Sequence, residues 1–186
     1  MAKSFGGSIK LKGESEYTKA LKTITSNLTV MSSEMKKVSA QYDTSDKSVQ
    51  ALTSRNNVLN KEIEEGKKKV DVYKSALENF QAQQDKNGAS LMELTIKLEK
   101  EKQKLEELKS STSSTSDEIK AQEKVVASLS NELADGEAQY EKNKIAINKY
   151  QTQMNNAEAD VIKMSKELNK NNEILDKTEE GMDGAS

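Results

Sequence analysis

The chain contains no cysteine, proline, histidine or tryptophan among its 186 residues. Without cysteine and histidine it can form no disulfide and offers neither a thiolate nor an imidazole for catalysis or metal binding. Proline normally supplies about 5% of residues, and its absence fits long uninterrupted helices. No glycine-rich phosphate loop occurs, and the abundant carboxylates lie beside lysines. We therefore expect no enzyme activity, no metal and no cofactor.

Apolar residues are also scarce. They make up 33% of the chain, against 32% charged residues and 4% aromatics, and the mean hydropathy is −0.86. A compact domain usually carries about 45–50% apolar residues, so this chain can line a narrow seam but cannot fill a thick core. The net charge of −2 shows no nucleic-acid footprint. No apolar run approaches the roughly 20 residues of a membrane span, and we expect no membrane contact.

What the chain does have is a seven-residue repeat. Every seventh residue from Leu21 to Met182 is apolar, except Asn56, Gln84 and Thr112. We call these the a positions; a second apolar row, the d positions, follows three residues after each. This spacing predicts an all-α fold of long extended helices with coiled-coil periodicity. The a and d side chains form the seam, and its apolar members are the candidate interaction site: Tyr17, Leu21, Ile24, Leu28, Met31, Met35, Val38, Tyr42, Leu59, Ile63, Val70, Tyr73, Leu77, Phe80, Leu91, Leu94, Leu98, Leu105, Leu108, Ile119, Val126, Leu129, Leu133, Tyr140, Ile147, Tyr150, Met154, Val161, Met164, Leu168 and Leu175.

Three weak points interrupt the helical pattern, at residues 43–48, 85–90 and 110–116. The second contains Asn87-Gly88, and the third is a run of Ser and Thr that Ser116-Asp117-Glu118 could cap as a fresh helix start. The predicted organisation is a leader at 1–13 with a short strand-like alternation, a coiled-coil segment at 14–84, a helical segment at 85–116, a long coiled-coil helix at 117–180 and a flexible tail at 181–186.

The heptad phase is the same on both sides of every weak point. Because a hairpin loop has no evident reason to keep this phase, we interpret the weak points as defects in a continuous rod. Asn-Gly is also a strong turn signal, so a hairpin at Asn87-Gly88 is the alternative.

Charges beside the seam disfavour a parallel in-register dimer. Only one of its interhelical pairs, Glu62–Lys67, would be attractive, whereas the repulsive ones are Lys69–Lys74, Lys97–Lys102, Lys104–Lys109, Glu118–Glu123 and Glu132–Glu137. A staggered or antiparallel pair, a higher oligomer, or a helix lining another protein remain open. Polar seam residues predict a marginal coiled coil: Asn56, Asn143, Asn171, Glu101 and Gln122. Two glycines, Gly66 and Gly136, occupy equivalent d positions. They indicate a close approach of two helix backbones, designed weak points in the helix, or sequence drift without a structural role.

The stretch Gly7–Lys22 resembles the start of many bacteriophage tail tape measure proteins. In those proteins a strand-like alternation ends in Gly plus an acid and leads into a helix with Lys-Ala-Leu, as Gly13-Glu14 and Lys19-Ala20-Leu21 do here. The resemblance covers roughly residues 7–110, and its continuation lies in Ala51-Leu52-Thr53, Val58–Glu64 and Lys67–Val70. Tape measure proteins are usually several times longer and carry hydrophobic segments and globular modules. The chain is therefore expected to be an N-terminal segment of a larger protein.

This resemblance implies a structural virion component, a helical ruler inside the tail tube that sets tail length. The implied partners are a self-associated coiled coil and tail-tube, tail-tip or assembly chaperone proteins. The implied location is the phage tail after assembly and the host cytoplasm during it. The alternatives are a cellular coiled-coil spacer or scaffold, such as a division- or chromosome-associated linker, and a secreted helical-hairpin protein of a contact-dependent system. An enzyme is the most remote.

Overall fold

A computed structural model describes the backbone of residues 13–183 and the side chains of residues 13–178. Three helices account for nearly all of it: α1 (Glu14–Gln41, 28 residues), α2 (Val49–Ser110, 62 residues) and α3 (Ser116–Asp183, 68 residues). No strand occurs within these bounds. The predicted all-α fold is confirmed. The strand-like alternation predicted in the leader lies outside the described residues, and residues 181–183 of the predicted tail belong to α3.

The helices begin and end where short polar side chains compete with the backbone. Ser48 Oγ accepts a hydrogen bond from Ala51 N (3.3 Å) at the start of α2. At α3 the cap is Thr115, one residue before the predicted Ser116. Asp, Ser and Thr are weak helix formers because their side chains can bond nearby backbone groups. Two of the three weak points, residues 42–48 and 111–115, are therefore true chain breaks.

The weak point at Asn87-Gly88 is not a break, because α2 runs through it without interruption. One interior glycine costs a helix only about 1 kcal/mol against alanine. Continuing the helix keeps Leu91, Leu98 and Leu105 in the seam, and their burial outweighs that cost. The turn signal is overridden by packing, and the boundary predicted between residues 84 and 85 does not separate two helices.

The described residues divide into two units. Unit 1 contains α1, α2 as far as Leu77, and α3 from Tyr150 onward. Unit 2 is Glu78–Lys149, the remainder of α2 and α3 with the turn at residues 111–115 between them. Unit 1 is a three-helix arrangement and unit 2 is a two-helix hairpin.

The prediction of a continuous rod is wrong. In unit 1, Tyr17 Oη donates to the Ser75 carbonyl oxygen (3.2 Å), and Asn171 Nδ2 donates to Asn56 Oδ1 (2.9 Å), so helices remote in sequence are neighbours. A constant heptad phase does not exclude a turn, because the phase depends only on the number of residues and carries no information on chain direction. The link at residues 42–48 is as long as one heptad, so it preserves the count while reversing the chain.

Candidate functional site

The predicted seam residues all lie at helix contacts. Every one of those thirty-one apolar side chains is buried or half-buried, in one unit or the other. Among the described residues, the exposed large hydrophobic side chains lie off the seam, except Val49, an a position at the first residue of α2; the others are Val30, Met92, Ile96, Val125, Ile145 and Ile162. The structure therefore places the seam between helices of the same chain, and the candidate site is an internal packing surface.

In unit 1, α2 is buried on two faces. Its seam faces α3, since Tyr73 and Tyr150 have ring centroids 6.1 Å apart. Its second face carries a row that the seam prediction missed, every seventh residue from Ala51 through Val58 and Glu65 to Val72, and all four are buried. Glu65 Oε2 accepts a hydrogen bond from Asn27 Nδ2 of α1 (3.1 Å), so this second row faces α1.

The signal for this second row was in the sequence. Three of its four members are apolar, and the row recurs at the heptad interval, two residues after the seam a positions Val49, Asn56, Ile63 and Val70. A helix with two apolar rows contacts two neighbours, whereas a helix in a simple pair needs one. The single charged member, Glu65, masked the pattern.

Glu65 is 6% exposed and sits between α1 and α2. Burial alone would raise its pKa, but hydrogen bonds from Lys68 (2.5 Å) and Asn27, together with the Lys68 charge, outweigh burial and hold the pKa below its ordinary value. The same contacts raise the pKa of the Lys68 ammonium, chiefly through its bond to Glu65. A buried carboxylate is tolerated here because both of its oxygens are paired.

Three tyrosines gather at the start of α1. Tyr17 is 1% exposed and donates to α2, while Tyr73 of α2 and Tyr150 of α3 contact each other with their rings tilted by 53°. Burial raises the pKa of both Tyr73 and Tyr150; nearby Glu14, Tyr73 and Tyr17 add to the shift at Tyr150. The Tyr73 and Tyr150 phenols stay neutral, and both rings serve packing.

An amide layer fixes how α2 and α3 align in unit 1. Asn56 donates from Nδ2 to Asn172 Oδ1 (2.8 Å) and accepts at Oδ1 from Asn171 Nδ2 (2.9 Å). Both polar atoms of the Asn56 amide, Nδ2 and Oδ1, are thus hydrogen-bonded, as a residue only 7% exposed requires. A shift by one heptad would leave these groups buried without partners, at a cost of about 1–3 kcal/mol for each. Two of the predicted polar seam residues therefore act together as a register lock.

Unit 2 contains the other predicted polar seam residues. Gln122 Nε2 donates to the Glu101 carboxylate (2.6 Å) and to its backbone carbonyl (3.0 Å), which joins α3 to α2. Asn143 Oδ1 accepts from Gln139 of its own helix (3.0 Å). Within the described part of the chain, buried Asn143 Nδ2 and Gln84 Oε1 have no hydrogen-bond partner. This seam has one satisfied polar pair and one place where stability can be gained.

Opposite charges flank the two helices of unit 2. Beside the seam α2 carries Lys97, Lys102, Lys104 and Lys109, and α3 carries Glu118, Glu123, Glu132 and Glu137. Lys109 Nζ lies 3.1 Å from Glu123 Oε1. Each such exposed pair contributes little. The segregation nevertheless explains why a parallel dimer looked repulsive, because like charges lie along each helix, whereas in the hairpin Lys109 faces Glu123.

Two glycines mark close approach of α2 and α3. A Cβ added to Gly66 would lie 2.7 Å from Val161 Cγ2 in unit 1, and one added to Gly136 would lie 2.8 Å from Leu91 Cδ2 in unit 2. Gly88 differs, since an added Cβ would meet Tyr140 at an ordinary 3.6 Å. Of the three interpretations of Gly66 and Gly136, close backbone approach agrees with these distances.

The sole arginine of the chain closes the link between α1 and α2, and sequence reasoning missed it. Arg55 is 9% exposed and donates to the carbonyl oxygens of Asp46 (2.6 Å) and Asp43. Hydrogen bonds from Ser45 and Ser48 are the main cause that lowers the pKa of Asp43 and of Asp46, and the Arg55 charge adds to both shifts. A planar guanidinium can hold two carbonyls at once, which a lysine cannot do as well.

The turn between α2 and α3 is closed by a reciprocal cap. Thr115 Oγ1 accepts from Glu118 N (3.2 Å), and Glu118 Oε2 accepts from Thr115 N (2.8 Å), which is the geometry of a capping box. The bond from the Thr115 backbone, with the one from its hydroxyl, lowers the pKa of Glu118.

A groove of about 340 Å³ in unit 1 is lined by both signs of charge and by Leu28, Met35 and Leu59. Within it burial, and then the nearby Glu167, raises the pKa of Glu62. Residues 13–183 contain no acidic cluster able to hold a metal ion and no helix apolar enough to cross a membrane.

Comparison with known proteins adds no relative. No protein family matches the chain, and neither a curated protein nor a solved structure resembles it significantly.

Proposed function

We propose that this chain is a structural, non-enzymatic segment of a phage tail tape measure protein, and that its helices contribute length to the tail. The observation that carries this proposal is the resemblance of Gly7–Lys22, together with the position of the first helix. In tape measure proteins that motif leads from Gly plus an acid into a helix, and here α1 begins at Glu14, directly after Gly13.

Helix geometry supports a role as a ruler. Each residue adds 1.5 Å to a helix, so length is proportional to residue number. The long α2 and α3 contain no proline that would kink them. In a finished tail these helices would be extended end to end or remain folded back, and the two states give different lengths for the same number of residues.

A paired deletion tests the proposal in a phage that carries this gene. Removing residues 85–98 and 129–142 together takes two whole heptads from each helix of unit 2. Because these segments lie at equal distances from the α2–α3 turn, the seam phase and the helix register of the hairpin are both kept. Folding failure is therefore separated from loss of length.

The expected tail shortening is about 42 Å if the segment is extended and about 21 Å if it stays folded back, at 1.5 Å per residue. Electron microscopy of negatively stained tails measures it. The control is the double substitution Leu98→Asp and Leu105→Asp, which disrupts the seam without changing chain length and should leave tail length unchanged in the particles that assemble. Tails of unaltered length in the paired deletion would refute a measuring role.

A cellular coiled-coil spacer or scaffold is the second candidate. It is favoured by the way the chain fills its own seams, since such a module needs no surrounding tube to bury its apolar residues. The gene context distinguishes the two: tail-tube genes beside it support the first candidate, and terminal globular domains in the parent gene support the second.

A further inference from the structure

The turn between α2 and α3 consists only of Ser and Thr at residues 111–115. Their hydroxyls close a turn by bonding nearby backbone groups, and the segment lacks the Gly, Asn or Pro that would hold the reversal more strongly. Among the described residues no side-chain-bearing position has a positive φ. Nothing in the backbone therefore prevents this segment from entering a helix, although Ser and Thr are weaker helix formers than Ala.

The seam also continues through the turn in phase. Thr112 occupies an a position and Thr115 a d position, between Leu108 and Ile119 of the flanking helices. If residues 111–115 became helical, α2 and α3 would fuse into one helix with a single uninterrupted seam face. Phase continuity is a condition that exchange must meet, because a straightened helix has to present one seam face; the link at residues 42–48 also keeps the phase, so phase alone does not mark a segment that straightens.

The register of the hairpin is symmetric about the turn. Leu91 and Gly136, which contact each other, are equidistant in sequence from the midpoint between Ser113 and Ser114. In unit 1 the contacting residues Gly66 and Val161 are equidistant from the same midpoint. Two straightened chains, related by a two-fold axis through that midpoint, would bring the same residues together between copies. The only new layer would pair Thr112 of each copy with Thr115 of the other.

We propose that the α2–α3 seam can also bind a second copy of the chain. Two chains straighten at residues 111–115 and exchange α3, so that each α3 packs on the other copy's α2 in the register of the hairpin. The charges support this arrangement. The lysine-flanked α2 of one copy would meet the glutamate-flanked α3 of the other, whereas a parallel dimer would oppose like charges. The inference rests on the seam and the turn and does not depend on the proposed function.

Concentration decides between the two forms. In the hairpin α3 is tethered to α2 and has a high effective concentration, so dilute chains stay folded back. Exchange reuses the contacts between α2 and α3 and gives up only those of the turn itself, such as the Thr115–Glu118 cap, which makes it a low-cost route to a dimer. Refolding at high chain concentration should therefore favour dimers, and refolding at low concentration should favour monomers.

A pair of matched variants tests the role of the turn in the full chain. Ser113→Ala with Ser114→Ala favours the helical turn, and Ser113→Gly with Ser114→Gly disfavours it. A Gly-for-Ala change weakens a helix by about a factor of five, and the dimer contains four such positions, so the two dimerisation constants should differ by several hundred-fold. Light-scattering mass across a dilution series measures both. Equal constants, or chains that remain monomeric at every concentration, would overturn the proposal.

Cross-linking tests the register independently. The chain has no cysteine, so Lys109→Cys and Glu123→Cys can each be placed alone in a separate chain. These two side chains meet across α2 and α3 in the hairpin, with their charged atoms 3.1 Å apart. After the two variants are refolded together at high concentration, a short bismaleimide should join one chain of each kind. A dimer that gives no mixed cross-link would be a side-by-side association and would also overturn the proposal.

Discussion

Substitution of Gly66 by alanine measures how closely α2 and α3 approach in unit 1. The new Cβ would lie 2.7 Å from Val161 Cγ2, well inside the roughly 3.5–4.0 Å of an ordinary carbon–carbon contact. Val161 is β-branched and has one preferred rotamer in a helix, so its methyl group cannot rotate away. The helices would have to separate locally, or Val161 would have to adopt a strained rotamer.

Two opposing terms set the change in the free energy of unfolding. Replacing an interior helix glycine by alanine stabilises by about 1 kcal/mol, and overpacking a seam costs about 1–3 kcal/mol. We expect Gly66→Ala to be destabilised by about 1 kcal/mol. Gly88→Ala carries only the helix term, because its Cβ has an ordinary contact, and should gain about 1 kcal/mol. Gly136→Ala should fall between them, since the atom it meets, Leu91 Cδ2, ends a flexible side chain.

Thermal unfolding followed by circular dichroism checks this order. For a chain of this length 1 kcal/mol corresponds to about 2–4 °C, so the melting temperature of Gly66→Ala should lie about 4–8 °C below that of Gly88→Ala. The same three variants also test the continuity of α2, because a turn at Gly88 would make Gly88→Ala neutral or destabilising. Equal gains at all three glycines would refute the close approach of the helices.

The other predictions concern polar groups. Asn56→Leu should destabilise by about 1–3 kcal/mol because it leaves the buried Asn171 amide without its hydrogen-bond partner. Asn143→Leu should stabilise by about 1 kcal/mol because it removes an unpaired buried donor, and shifts of the urea midpoint in the same direction for both variants would contradict this. Arg55→Lys should destabilise by about 1–2 kcal/mol and speed proteolysis at residues 42–48, and unchanged cleavage would exclude the clamp. The lowered pKa of Glu118 contributes stability above its ordinary value of 4.5, which is lost as the pH falls through the folded-state pKa. Glu118→Gln keeps the cap and should remove that part of the acid dependence of melting, and an unchanged profile would refute the assignment.

Heptad reading predicted the helices and their buried positions well because both depend on local spacing. The thirty-one predicted apolar seam residues from Tyr17 to Leu175 are buried or half-buried, since a seven-residue period determines which side of a helix is apolar, whatever that side meets. The same period is silent on chain direction. It could not distinguish a rod from antiparallel helices, and the reversals at residues 42–48 and 111–115 were therefore misread.

The remaining misses concern contacts between residues far apart in sequence or of unusual type. Arg55 looked like one more surface charge because its partners are backbone carbonyls, which no side-chain pattern reveals. The second face of α2 was visible as Val58 and Val72, but Glu65 between them broke the apolar row. Gln122 looked like a tolerated polar residue, whereas it holds Glu101 across the hairpin.

The two-faced burial of α2 sets the order in which unit 1 comes apart. The face toward α3 carries Leu59, Ile63 and Tyr73, while the face toward α1 carries only Val58 and Val72 as large apolar side chains. Helix α1 should therefore be released first, as a separate cooperative unit, with faster amide hydrogen exchange than residues 49–77. Its departure would uncover a vacant row along a helix that is still paired with α3. Under mildly denaturing conditions the chain would then expose an apolar surface prone to association, the second row of α2, before the seam between α2 and α3 has opened.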